Sequence, residues 1–252
     1  LLHPLPDQMG VQVNPKNTTM PRRLVIGDIH GCYHTLSKLL EEKIKIVRED
    51  QVYFLGDYID RGPFSREVLE YMLKLRAQEY SVFFIRGNHE DMFLKAMDDE
   101  QYLAGWFRNG AEETLLSFNI PESFRYSQIL LKSIPAEIYR FISGMPYYYE
   151  LDDHILVHAG LNFDADEIFK DTDSMLWIRN FHYDGERVKH KKIIHGHTPM
   201  PLNVIIRNSK KPMINSLNID GGCVYIDMPG YGQLVAMDMD TRELFVQENV
   251  DM

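Results

Sequence analysis

The sequence predicts an α/β fold, a mixed α/β sandwich in one large domain. Three observations predict it. Short apolar runs recur through the first third of the chain, and each ends in a glycine beside a polar residue. Helical periodicity fills the intervals between them. Turn residues and short β-type runs dominate the later part.

Taken in order, Leu24-Val25-Ile26 ends in Gly27-Asp28, Val52-Tyr53-Phe54-Leu55 in Gly56-Asp57, and Val82-Phe83-Phe84-Ile85 in Arg86-Gly87-Asn88. Continuous apolar runs of this length suit strands buried on both faces. Leu36, Leu39, Leu40 and Ile44 recur at three- and four-residue steps, as do Val68, Leu69, Met72 and Leu75, so each set forms one helix face. Strand, helix, strand, helix, strand predicts parallel pairing with right-handed crossovers. Helices are expected over 92–97, 112–118, 126–131 and 135–143, the last ended by Gly144 and Pro146. Short strands are expected at 147–151, 155–157, 192–194, 204–206, 217–219, 224–226, 234–237 and 244–247, with one helix over 165–169.

Composition narrows the class. The chain has 252 residues, 44% hydrophobic and 25% charged, with a net charge of −10. That is an ordinary globular composition and excludes global disorder, collagen and a disulfide scaffold. The acidic balance argues against coating nucleic acid or a membrane surface, which needs a basic face. The small runs Lys189-His190-Lys191-Lys192 and Lys210-Lys211 read as solvated faces. Cys32 and Cys223 are the only cysteines, which suits reduced thiols in a cytoplasmic protein. No apolar run approaches the ~20 residues of a membrane helix. Residues 1–19 lack the apolar core of a secretion signal and read as a leader, with Met20 as the natural start and 20–252 as a single catalytic domain.

The chemistry gathers at the predicted strand ends. Asp28 and His30, two apart, point to one side of an extended segment. Asp57 and Asn88 follow the next two strands, and the carboxyl edge of a parallel sheet is where ligands bind. His158 follows Ile155-Leu156-Val157, and His197 lies in His195-Gly196-His197-Thr198-Pro199. Two Asp, one Asn and three His are mixed N/O donors without thiolate. They suit Mn, Fe, Zn or Co. Six ligand side chains exceed what one catalytic ion with an open position takes, so a two-metal site with a bridging carboxylate is the natural count. Two divalent ions on two carboxylates leave a net positive site that attracts a phosphate, which carries about −1.5 to −2 at neutral pH.

Five ordered motifs then become recognisable: Gly27-Asp-Ile-His-Gly31, Gly56-Asp-Tyr-Ile-Asp-Arg-Gly62, Gly87-Asn-His-Glu90, His158-Ala-Gly160 and Gly196-His-Thr-Pro199. The series resembles that of the phosphoprotein phosphatase (PPP) family of calcineurin-like metallophosphoesterases, in its short bacterial and phage branch. The resemblance implies a four-layer β-sandwich of two mixed sheets flanked by helices, with two metals at the edge between the sheets. It implies that Asp28 and His30 hold the first metal, that Asp57 bridges, and that Asn88, His158 and His197 hold the second. His89 would be the general acid, oriented by Asp60. Arg61, with Asn88 and Arg179, would bind the phosphate. His195 would support the ligands without being one, and Asp220 would form a structural turn beside the site. Trp106, Phe107, Tyr126 and Phe181 would line a substrate groove or belong to the core.

The resemblance further implies one-step hydrolysis by in-line attack of a hydroxide shared between the metals, with no phosphoenzyme. Asp60 stands where the dinucleotide hydrolases of the family commonly lack an acid. Phosphomonoesters are therefore the expected substrates, with phosphoserine and phosphothreonine proteins first. Symmetrical diadenosine tetraphosphate or nucleotide hydrolysis is the alternative. A stable nucleic-acid complex and a membrane are not expected partners. A catalytically dead scaffold would carry broken ligands, and none is broken.

Overall fold

The computed structural model describes residues 21–120 and 133–252. Its first strand, β1 (Arg23–Ile26), pairs in parallel with β2 (Gln51–Phe54), and β2 with β3 (Ser81–Phe84). Helix α1 (Tyr33–Lys38), continued as a π-helical turn over Leu39–Ile44, and α2 (Ser65–Ala77) make the two crossovers. Two late strands, β8 (Gln233–Asp238) and β9 (Leu244–Glu248), join antiparallel, giving the order β3-β2-β1-β8-β9. The second sheet has the order β4-β5-β6-β7, from Tyr148–Glu150, His154–Val157, Lys192–His195 and Ser216–Asn218. Only β4 is antiparallel there, so both sheets are mixed.

Side-chain alternation decides what each sheet face buries. Val25, Leu55, Leu156, Ile194, Leu217 and Val235 fill the space between the sheets. Their neighbours Leu24, Ile26, Val52 and Phe54 face outward into the helices on the first sheet. Ile155, Val157 and Ile193 face outward under the 161–188 segment on the second. Both faces of the inner strands are apolar, which is why they read as unbroken apolar runs.

Helices α3 (Asn88–Asp98), α4 (Leu103–Phe107) and α5 (Ala111–Ser117), and a later helix over Ala136–Ser143, account for the expected helical stretch. The expected helix at 126–131 and the leader at 1–19 lie outside the described residues.

Three expectations differ from the structure. The 204–206 run is not a strand but part of a helix, Leu202–Ser209, that opens after Pro201. Its Leu202 and Ile205 pack into the inter-sheet core, and that burial overrides the β preference of branched side chains. The 224–226 run is a chain of turns. Tyr225 N–H donates to Gly222 O and Met228 N–H to Tyr225 O, leaving no ladder to form. The 165–169 stretch is also turns, because Asn162 Oδ1 takes the Asp164 N–H and competes with helix. The helix starts later, at Thr172–Trp177, where Asp171 accepts from Ser174 N.

Candidate metal centre

The loops leaving β1, β2, β3, β5 and β6 converge at one edge of the sandwich. All six predicted ligands are buried there: Asp28, His30, Asp57, Asn88, His158 and His197 are at most 7% exposed. His197 N–H donates to Asp28 Oδ2 at 3.0 Å, tying the second sheet's loop to the first. Gly196 makes this approach possible, since a Cβ there would lie 2.0 Å from Asp28 Oδ1.

Among the described residues, two groups of possible ligand atoms lie within 4.8 Å of one another: His30, Asp57 and His89, and Asp57, His158 and His197. Asp57 belongs to both. Its Oδ2 lies 3.5 Å from His30 Nε2 and its Oδ1 3.4 Å from His158 Nε2. Asn88 Oδ1 is 2.9 Å from both His158 Nε2 and His197 Nδ1. Asp28 sits beside the first group without entering it, and His89 stands in it, with Nε2 3.9 Å from Asp57 Oδ2.

Second hydrogen bonds set which imidazole nitrogen is free. His30 Nδ1 faces Ile59 O and His158 Nδ1 faces Leu55 O, each at 2.9 Å. Each carbonyl accepts a hydrogen bond from Nδ1–H, so Nε2 of each ring carries the lone pair, the usual arrangement of a metal-binding histidine. Burial holds His30 and His158 below the ordinary histidine range and His197 at about 3. They are neutral and able to donate. Burial pushes the Asp57 carboxyl up, but His158, His89, His30 and His197 together outweigh it and hold it well below the carboxylate range. Asp28 goes the other way, raised by burial and by its neighbours Asp220 and Asp57. Asp28 Oδ1, His89 Nε2 and His197 Nε2 are buried without a hydrogen-bond partner among the described residues. Stranded buried polar atoms are costly, and a cation beside Asp28 Oδ1 would relieve one of them. Two carboxylates, an amide oxygen and neutral imidazoles without thiolate therefore fit divalent metals of the Mn, Fe, Zn or Co kind.

His89 is fully buried and its Nδ1 donates to Asp60 Oδ2 at 2.7 Å. Burial lowers its basicity, but Asp57 and Asp60 win and raise it above the ordinary value. Arg61 reaches in beside it and donates from Nη1 to His30 Nε2 at 2.7 Å. Arg179 is exposed at the rim, and its charge adds to the forces keeping His197 neutral. Its neighbour Trp177 is 40% exposed and lies edge-on to the His197 ring.

Of the four aromatic residues expected in a groove or in the core, three are among the described residues. Trp106 is fully buried and donates from Nε1 to Asp60 Oδ2. It forms the floor of a groove of about 390 Å³ whose walls include Tyr102, Arg108 and Trp177. Phe107 packs against the core, and Phe181 packs against Gly160 and the His195 ring. Tyr126 lies outside the described residues. His195 stays out of both ligand groups. Glu90 is the residue that sequence reasoning passed over. Fully buried, it accepts backbone N–H groups from Asp57, Tyr58, Ile59 and Gly87, and so fixes the β2 loop to the start of α3. Its place at the third helical position after Gly87 lets its carboxylate reach back to the Gly87 N–H, one half of a capping box.

The sequence model of the calcineurin-like phosphoesterase family matches residues 21–228. The chain belongs to that family. It is a metallophosphoesterase, and the family uses a dinuclear divalent centre. The asymmetrical bis(5'-nucleosyl)-tetraphosphatase PrpE of Anoxybacillus flavithermus is 30% identical over 245 residues, covering 84% of this chain and 88% of that protein. Serine/threonine-protein phosphatase 1 of Salmonella typhimurium is 39% identical over 88 residues, 35% of this chain and 38% of the other. Among solved structures, a protein serine/threonine phosphatase from Saccharomyces cerevisiae covers 94% of this chain and 82% of its own, with a TM-score of 0.62 at 17% identity. That likeness carries the fold alone. No helix among the described residues is long and apolar enough to cross a membrane.

Proposed function

We propose that this metallophosphoesterase is a phosphomonoesterase whose preferred substrates are phosphoserine and phosphothreonine proteins. The observation that carries the reading is the buried His89–Asp60 pair. A serine or threonine alkoxide is a poor leaving group and needs a proton as it departs. A histidine with Nδ1 fixed on a carboxylate and Nε2 turned into the site supplies that proton.

In this reading Asp28, His30 and Asp57 hold one divalent ion and Asn88, His158 and His197 a second, with Asp57 shared. Its two oxygens, each facing a different histidine group, support the sharing. Manganese is the proposed metal. Bound there, the ions supply an activated water and the charge that offsets the phosphate. The chain's own groups do the rest. Arg61 and Arg179 bind phosphate oxygens through paired N–H donors, Arg61 from inside the site and Arg179 from its rim. Asn88 adds its amide, Asp60 orients His89, and His89 Nε2 gives its proton to the leaving oxygen. The proposed setting is the cytoplasm, where the buried cysteines Cys32 and Cys223 stay thiols.

A second reading, hydrolysis of a dinucleoside tetraphosphate, is supported by the likeness to the asymmetrical tetraphosphatase across most of both chains. One manganese-supplemented panel separates them: a phosphoserine peptide, diadenosine tetraphosphate and p-nitrophenyl phosphate. The first reading expects the highest kcat/KM on the peptide. Far faster cleavage of diadenosine tetraphosphate would replace it with the second.

A further inference from the structure

The carboxylate behind His89 is held from a part of the chain that carries none of the five motifs. Trp106, at the end of α4, donates Nε1–H to Asp60 Oδ2 at 2.8 Å. Thr114, in α5, donates its hydroxyl to Asp60 Oδ1 at 2.6 Å and accepts the Asp60 N–H at 2.9 Å. Ser65 Oγ lies 3.1 Å from both Asp60 N and Thr114 Oγ1. With His89 Nδ1, the fully buried carboxylate receives three side-chain donors. Both carboxylate oxygens are therefore engaged by donors from three different elements.

The same segment controls the backbone. Asp60 and Arg61 both adopt left-handed conformations, with φ of 71° and 70°. Non-glycine residues hold such geometry only where the surroundings impose it. Here Arg61 N–H donates to Gly110 O at 3.0 Å. Gly110 itself has φ 99°, and a Cβ on it would lie 2.8 Å from Arg61 Cγ. The stretch from Trp106 to Thr114 therefore braces both the partner of His89 and the neighbouring arginine.

We infer that Trp106 and Thr114 are positioning residues for proton delivery: they lock the Asp60 carboxylate in the one orientation that turns His89 Nε2 toward the leaving oxygen. The inference rests on the reading of His89 as general acid. A buried tryptophan N–H needs some acceptor for stability alone. What points beyond packing is that Trp106 and His89 share the single oxygen Oδ2, so a shift of one moves the other.

Leaving-group dependence tests it. The full chain, loaded with manganese, is assayed on phenyl phosphate, whose leaving group needs a proton, and on p-nitrophenyl phosphate, whose leaving group does not. His89→Asn is the reference and is expected to lose selectively on phenyl phosphate. Trp106→Phe and Thr114→Val are each expected to lose ~10- to 100-fold in kcat on phenyl phosphate and under about threefold on p-nitrophenyl phosphate. KM and bound manganese stay unchanged. Thr114→Ser, which restores the hydroxyl, returns to within about threefold of the parent, and Trp106→Phe adds nothing in the His89→Asn background. If His89→Asn is selective while the two variants lose equally on both substrates, or lose nothing, the positioning role alone is overturned. If His89→Asn is itself unselective, the acid reading falls and this role with it. Loss of fold in both variants, seen by melting, assigns the pair to packing and overturns the inference.

Discussion

His30, Asp57, Asp60, Arg61 and His197 all hold left-handed backbone, with φ between 47° and 71°. Each such residue costs about 1–3 kcal/mol, and five of them meet in one site. The fold spends stability to aim these side chains, so conservative replacements are expected to act on chemistry before stability. His89→Asn is expected to slow a phosphoserine peptide by ~10²- to 10⁴-fold and p-nitrophenyl phosphate by far less. Steady-state rates on the two substrates check this, and equal losses would remove the acid role. Asp57→Asn takes charge from the carboxylate shared by both histidine groups. Metal analysis is expected to find fewer than two ions bound, and retention of two ions with full rate would defeat the sharing. The six residues gathered at this edge were legible in sequence because each sits one to four residues beyond a strand that announces itself by apolar composition. The partners of Asp60 were not. Trp106 and Thr114 lie 46 and 54 positions away, on helices whose periodicity reports burial but not which carboxylate lies beneath.

At the scale of elements, α3 and the β2 loop are joined through Glu90. Its carboxylate, fully buried, accepts four backbone N–H groups. Glu90→Ala strands those donors and is expected to destabilise the fold by about 3–5 kcal/mol. Urea unfolding measures this, and a loss below about 1 kcal/mol would mean that the loop is held by other contacts. Gly196→Ala drives a methyl into Asp28 and is expected to weaken metal binding while leaving both sheets intact, seen as unchanged circular dichroism with lost manganese. The elements themselves were partly legible. Strands buried on both faces are apolar throughout and stood out. The 204–206 run misled because three branched side chains look alike in a strand and on the buried face of a short helix. Only packing onto Leu217 and its neighbours decides which forms.

At the scale of the whole molecule, the net charge of −10 coexists with a site built for an anion, because a few buried carboxylates and neutral histidines hold room for cations. Metal binding should therefore be linked to protons. Burial and the carboxylates beside it hold Asp28 above its usual range, and burial with Asp57 nearby raises Asp220 to about 7. Both must be ionised to favour a cation, so manganese uptake releases protons and its affinity rises with pH. Calorimetry in two buffers of different ionisation enthalpy is expected to show proton release near neutral pH. It is also expected to show weaker binding at about pH 6 than at about pH 8. Affinity that is flat across that range would contradict the linkage. The parallel pairing of the first three strands was legible from the order of strands and helices, and the two mixed sheets from the family resemblance, whereas the order within the first sheet, with β8 beside β1, came only from folding.

The most direct measurement titrates manganese into chelator-stripped protein while phosphate release from p-nitrophenyl phosphate is followed. Two shared-carboxylate sites predict activity that is absent without metal and saturates at two equivalents per chain. Full activity in the stripped protein, or saturation at one equivalent, would contradict the two-metal centre.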